Sequence, residues 1–171
     1  MLINVFAIDP GMTTGWAFIR GADPALGPQI ECDYYTEASQ INGVEYQQAF
    51  DLYRLIKSCW PCAVVIEGFI VRRMNQERYF LSPVRVTSGV AMLLWLDKIV
   101  WAEQQPSLAK TTIGDDYLVS TGLWTPGMPH ANDAMRHGLT LVRRIANAPG
   151  MYDVLISPRG LDNGGPVEWQ S

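Results

Sequence analysis

The chain has 171 residues, 48% of them apolar and 18% charged, with a formal net charge of −4. That length predicts one domain of ordinary size, able to bury roughly 70% of its unfolded surface without a disulfide or metal staple. The apolar fraction excludes a disordered chain, the longest apolar run (Val90 to Leu96) is too short to span a bilayer, and the negative balance counts against a basic nucleic-acid-binding domain.

In chain order, residues 2–8 (LINVFAI) read as a buried strand ended by Asp9-Pro10-Gly11, where Pro and Gly force a turn. Residues 15–19 read as a second strand and 30–36 as a third, with a Gly-, Pro- and Ala-rich loop over 20–28. Together they predict an antiparallel meander. Tyr46, Ala49, Phe50, Tyr53 and Ile56 share one face of a helix that ends before Pro61. Residues 63–66 (AVVI), closed by Glu67-Gly68, form the clearest buried strand. The stretch 69–80 has no period and reads as a loop or helix start. Residues 83–97 predict an apolar helix with Pro83 in its first turn, and 99–103 a fifth strand. Short helices are expected over 106–112 and 115–121, and a loop over 124–129. The last helix, 130–147, places Ala131, Ala134, Gly138, Leu141, Val142 and Ile145 on one face. Residues 150–171 read as an irregular C-terminal tail. The order predicts an α/β fold over 1–149: a five-stranded mixed sheet flanked by helices on both faces.

The charge is uneven. Residues 1–67 hold three basic side chains against eight acidic ones, and residues 68–171 hold ten against nine. Within 68–85, Arg72, Arg73, Arg78 and Arg85 oppose Glu77 alone. A second basic group is Arg136, Arg143 and Arg144. The planar fork of arginine suits phosphate. An acidic half with a separate arginine rim is compatible with DNA after all. Three cysteines, an odd number, predict a reducing cytosol, and no basic segment precedes an early hydrophobic stretch as a secretory signal would require.

Asp9 is expected just past the first strand and Glu67 just past the fourth. If those strands are parallel neighbours, both carboxylates stand at one end of the sheet, where ligands gather. His130 and Asp133, three apart at the start of the last helix, share a face of it. Packed against that sheet end, they would complete a set of four metal-capable groups. Hard oxygen ligands suit Mg2+ or Mn2+, and a pair of such ions serves phosphoryl transfer. Each residue also has an ordinary reading: Asp9 as a turn former, Glu67 as the charge where an apolar strand meets water, Asp133 as a helix-start charge. Cys59-Trp60-Pro61-Cys62 has thioredoxin spacing. It closes a helix and precedes a strand, the reverse of the order that activates a thiol.

These motifs resemble the RuvC-type Holliday junction resolvases of the RNase H-like superfamily. AIDPGMTTGWAF is similar to that family's first strand, aspartate turn and second strand. VVIEGFIVRRMNQ resembles its fourth strand, glutamate and substrate loop. SPVRVTSGVAMLL, PSLAKTTI and HANDAMRHGL resemble its next helix, lysine-bearing segment and final acidic motif. The PSLAK, GLW, PG and HANDA run is most similar to the resolvases of bacteriophages.

The resemblance implies an RNase H-like fold, a homodimer, a two-ion Mg2+ or Mn2+ site, and a location in the cytoplasm (the host's, if phage-encoded). It implies hydrolysis of branched DNA, leaving 5′-phosphate and 3′-hydroxyl ends. Asp9, Glu67 and Asp133 would be metal ligands. His130 stands where the family often has another aspartate, and would either ligate the second ion or orient the attacking water. Phe69 would stack on unpaired bases, with Tyr79 and Phe80 as competing candidates. Lys110, Arg72, Arg73, Arg78 and Arg85 would hold phosphates. Three alternatives remain beside junction resolution. One is a general flap or fork nuclease of the same fold. Another is a nucleotide-binding phosphotransferase, since the Asp9 turn is similar to the phosphate turn of actin and sugar kinases. The third is an inactive DNA-binding module.

Overall fold

Alternation along the central strands sets the architecture, because successive strand residues point to opposite faces of a sheet. In β1 (Ile3–Asp9), Ile3, Val5 and Ala7 belong to one buried cluster, while Phe6 and Ile8 belong to a second. In β2 (Thr13–Ala22), Ala17 and Ile19 join the first cluster, and Trp16 and Phe18 the second. In β4 (Ala63–Glu67), Ala63 and Val65 face one way, Val64 and Ile66 the other. A sheet apolar on both faces has to be covered on both. The computed structural model describes residues 2–23, 25, 35–69, 81–157 and 166–167.

The strand order is β3-β2-β1-β4-β5-β6, with β3 spanning Tyr35–Asn42, β5 Trp101–Gln104 and β6 Pro166–Val167. The first three strands form the expected antiparallel meander, and β4, β5 and β6 extend it in parallel from β1. The five expected strands are present, and the two-residue β6 adds a sixth beyond β5.

Helices α1 (Glu45–Cys59) and α2 (Ser82–Leu96) cover the face carrying Phe6 and Ile8. They approach closely: a Cβ on Gly89 would lie 2.8 Å from the Ala49 Cβ. Helix α5 (Pro129–Asn147) crosses β2, β1 and β4 on the opposite face. Beside it lie α3 (Pro106–Thr112), α4 (Asp115–Ser120) and α6 (Gly150–Ile156). No helix among the described residues is long and apolar enough to cross a membrane.

Three expectations need correction. The third strand runs through Tyr35–Asn42, well past its expected end at residue 36. Its sequence, YTEASQIN, has no β-branched run, and its position is set by pairing with β2 from Thr13 to Arg20. Residues 30–34 lie outside the described residues. On α1 the buried face is Gln48, Ala49, Leu52 and Ile56, whereas Tyr46 and Phe50 are exposed. Ala49 and Ile56 of the expected stripe are buried and Tyr53 packs against the same core, so only Tyr46 and Phe50 fall outside it. Finally, residues 150–156 are helical rather than irregular. Met151, Tyr152 and Leu155 pack into the α5-side core, and the Tyr152 hydroxyl accepts the Asn4 N–H at 3.1 Å. The Gly and Pro around this short turn of helix had masked its apolar spacing.

Candidate active site

Strand parity places the acids. Asp9 continues the Ile3-Val5-Ala7 set, and Glu67 continues Ala63-Val65, so both face α5 from the carboxyl ends of adjacent parallel strands. Asp9 and Glu67 are the last residues of β1 and β4, not the first beyond them, and Asp9 pairs with Gly15 across the hairpin. A Cβ on Gly15 would fall 1.9 Å from the His130 carbonyl oxygen. The bare backbone of Gly15 therefore lets the start of α5 rest directly on the sheet beside Asp9. Gln40 on β3 completes the seat by accepting the His130 N–H at 3.0 Å.

His130 Nδ1 lies 2.8 Å from Asp9 Oδ2. Asp9 is 7% exposed, and its carboxyl is pushed up to about 6. Burial is the main cause, and the charges of Glu67 and Asp133 add to it, while the His130 hydrogen bond and charge oppose. The hydrogen bond to Asp9 in turn raises the His130 imidazole, against burial and with help from the surrounding carboxylates. Glu67 is half-buried. Burial pushes its carboxyl up, but the hydrogen bond from His137 and the His137 charge outweigh this, with further help from a hydrogen bond with Asp9 and the Lys110 charge. The net direction is down. Asp9 and Glu67 thus form a coupled pair in which Asp9 holds a proton more readily.

Asp133, one helical turn beyond His130, is tied on both oxygens. Lys110 Nζ is 3.4 Å from Oδ2, and Arg136 Nη1 donates to Oδ1. Arg136 is itself buried, also bonds Asp115, and lies 5.9 Å from the centre of the Trp124 ring. A cleft of about 450 Å³ opens next to Glu67, walled by Pro10, Phe69, Pro83 and Pro106 with Lys110 at its rim.

The structure thus brings Asp9, Glu67, His130, Asp133 and Lys110 to one end of the sheet and sets Phe69 in the adjoining cleft. Arg85 instead reaches Glu45 on α1 at 3.3 Å. Arg72, Arg73, Arg78, Tyr79 and Phe80 lie outside the described residues. The second basic group is not a surface cluster: Arg136 is committed to Asp133 and Asp115, and Arg143 donates to the Thr112 carbonyl and lies over Tyr117. Among the described residues, no three His, Cys, Asp or Glu side chains converge closely enough to hold an ion as they stand. The donor set nonetheless fits a divalent cation. Asp9, Glu67 and Asp133 are hard oxygen donors, and at Asp9 burial first and the other two charges second disfavour the carboxylate, a cost that a cation offsets. In the Cys59/Cys62 pair, Cys62 is buried and burial pushes its thiol up to about 12, opposite to the shift that activates a redox cysteine.

No protein-family model and no curated protein sequence matches the chain. Solved structures do. RuvC of T. thermophilus in complex with a Holliday junction substrate superposes with a TM-score of 0.65 at 14% identity, covering 85% of this chain and 96% of that one. A second Thermus thermophilus RuvC structure gives 0.58 at 15% identity, covering 86% and 97%. The yeast mitochondrial Holliday junction resolvase gives 0.59 at 11% identity, covering 90% and 83%. The chain has the RuvC-type, RNase H-like fold.

Within this RuvC-type fold, sequence reasoning missed His137 and Gln104 at the site, and read Arg136 as one of a basic group rather than as the partner of Asp133. His137 Nε2 lies 2.8 Å from Glu67 Oε2, and its Nδ1 lies 3.0 Å from Gln104 Oε1. A signal was available. Arg136 and His137 follow Asp133 by three and four residues, the spacing of one helix face. Gln104 alternates with Ala102 toward the same core.

Proposed function

We propose that the chain is a divalent-metal-dependent endonuclease that resolves four-way DNA junctions, acting as a homodimer. The observation that carries this reading is the juxtaposition of Asp9 and Glu67, on adjacent parallel strands, with the His130/Asp133 start of α5. The overall likeness to a RuvC solved with a Holliday junction substrate supports DNA of branched form as the substrate.

Asp9, Glu67 and Asp133 would hold Mg2+ or Mn2+, with His130 as a further ligand or as the group orienting water. Bound there, the ions would activate a water molecule and neutralise charge on the departing oxygen. The chain's own residues supply the rest. Asp9 fixes the His130 ring through Nδ1, so that the imidazole keeps one orientation toward the scissile phosphate. Lys110, on the cleft rim and only loosely tied to Asp133, can exchange that carboxylate for a backbone phosphate. Phe69 and three prolines make an apolar wall on which an unpaired base can rest. Attack by water oxygen on phosphorus breaks the P–O3′ bond, and the departing oxygen takes up a proton. The ends are then a 5′-phosphate and a 3′-hydroxyl.

Support for the dimer comes from α2. Val84, Met92, Trp95 and Leu96 are all exposed, and their spacing places them along one side of that helix.

Matched four-way, three-way, flap and linear DNAs, incubated with Mg2+ or Mn2+, test the proposal. The expected result is paired, symmetric nicks in the four-way substrate, lost in Asp133→Asn with junction binding retained. Equal cutting of flaps would demote the protein to a general branch nuclease, and no metal-dependent cleavage of any substrate would overturn the reading.

A further inference from the structure

His137 is 1% exposed, on the buried side of α5, and both its ring nitrogens are engaged. Three elements contribute to the chain it forms: Glu67 from β4, His137 from α5 and Gln104 from β5. Register makes Glu67 and Gln104 direct neighbours across the parallel pair, and parity turns both toward α5. The Gln104 carbonyl accepts the Gly68 N–H at 2.7 Å, tying β5 to the residue that follows Glu67.

Packing alone does not account for this arrangement. Gln104 is 2% exposed, and its Nε2 has no hydrogen-bond partner among the described residues. A buried donor left so is costly, and a leucine at either position would cover the same face with no polar atom to satisfy. What the His–Gln pair adds is direction. One oxygen of Glu67 is committed to His137, so the carboxylate cannot turn without leaving a ring nitrogen of a buried histidine unpaired.

We propose that His137 is a positioning residue for Glu67, with Gln104 orienting its ring. The inference rests on the metal-dependent nuclease reading above. Held through Oε2 from α5, Glu67 stays turned to the α5 side of the sheet, the side that Asp9 at the end of the neighbouring strand also faces. Glu67 is then held at its place before a cation arrives, and that carboxylate needs less ordering on binding.

Calorimetric titration of the free protein with Mn2+ alone reads this directly. His137→Leu is expected to weaken Mn2+ binding about 10–100-fold, with four-way junction binding in EDTA unchanged. His137→Gln, whose amide nitrogen reaches as far as the imidazole Nε2, is expected to restore most of the affinity. A leucine variant that binds Mn2+ as tightly as the unmodified protein overturns the proposal, and so does a glutamine variant as weak as the leucine one. Should His137→Leu fail to fold, His137→Asn replaces it. Its amide reaches only the Nδ1 position, so asparagine binding as tightly as glutamine overturns the proposal. The two readings fail separately. Variants that lose Mn2+ affinity as expected, in a protein that cuts no branched DNA, sink the nuclease reading alone. Active protein whose variants keep full Mn2+ affinity sinks the positioning role alone.

Discussion

Asp9 is destabilising in the ion-free protein at neutral pH. Its folded carboxyl is pushed up to about 6, above the unfolded value of roughly 3.9, chiefly by burial. The folded chain therefore binds that proton more readily than the unfolded one. Ionisation of Asp9 costs stability above pH 6, and the cost fades as pH falls toward 4. Glu67 runs the other way. Held below its ordinary value, it contributes stability above its unfolded pKa and loses it as pH falls through the folded one. The two partly cancel in the unmodified protein, so a variant has to separate them. Asp9→Asn in EDTA is expected to be more stable than the unmodified protein at pH 7.5, by about 2 kcal/mol, with the gap closing toward pH 4. Circular-dichroism melts check this, and a variant less stable at pH 7.5 would count against it. Cleavage is expected to vanish in the same variant.

Close approach at one glycine governs how the elements meet. Most contacts in the sheet tolerate some adjustment of side chains, but the atom facing Gly15 is backbone oxygen, which has no rotamer to change. Gly15→Ala is expected to lift the start of α5 from β2, at about 1–3 kcal/mol in denaturant unfolding. Junction cleavage should fall much further than stability, because His130 and Asp133 ride on that end of the helix. An alanine variant of full activity would show that the α5 seat is not what sets the site. The same element explains which features the sequence revealed. Ala63-Val64-Val65-Ile66 is apolar on both faces and announces a central strand. β3 is an edge strand of mixed polarity, and its register comes from β2 rather than from its own residues.

For the whole molecule, net charge was a poor guide. The acidic half contains Asp9 and Glu67, whose negative charge the proposed metal site would use. The basic half divides: Arg136 and Arg143 serve the interior, Arg85 pairs with Glu45, and Lys110 stands at the cleft. Any arginine rim on the DNA rests on Arg72, Arg73 and Arg78, outside the described residues. The exposed stripe on α2 belongs to this scale as well. Trp95→Glu combined with Leu96→Lys is expected to convert a dimer to a monomer in sedimentation at micromolar concentration, with the fold kept, since both side chains already meet solvent. An unmodified protein that sediments as a monomer would remove the homodimer.

The α/β class, the meander and the positions of Asp9, Glu67, His130 and Asp133 at element ends were all legible in one dimension. Each depends on local signals: period-2 apolar runs, a Pro-Gly turn, a helix start. What surrounds those acids was not legible. His137 on Glu67, Arg136 on Asp133 and the contact of Gly15 with His130 join segments far apart in the chain. Whether a buried polar side chain is paired depends on which face of which neighbour it meets, and only the packing of α5 across the sheet decides that.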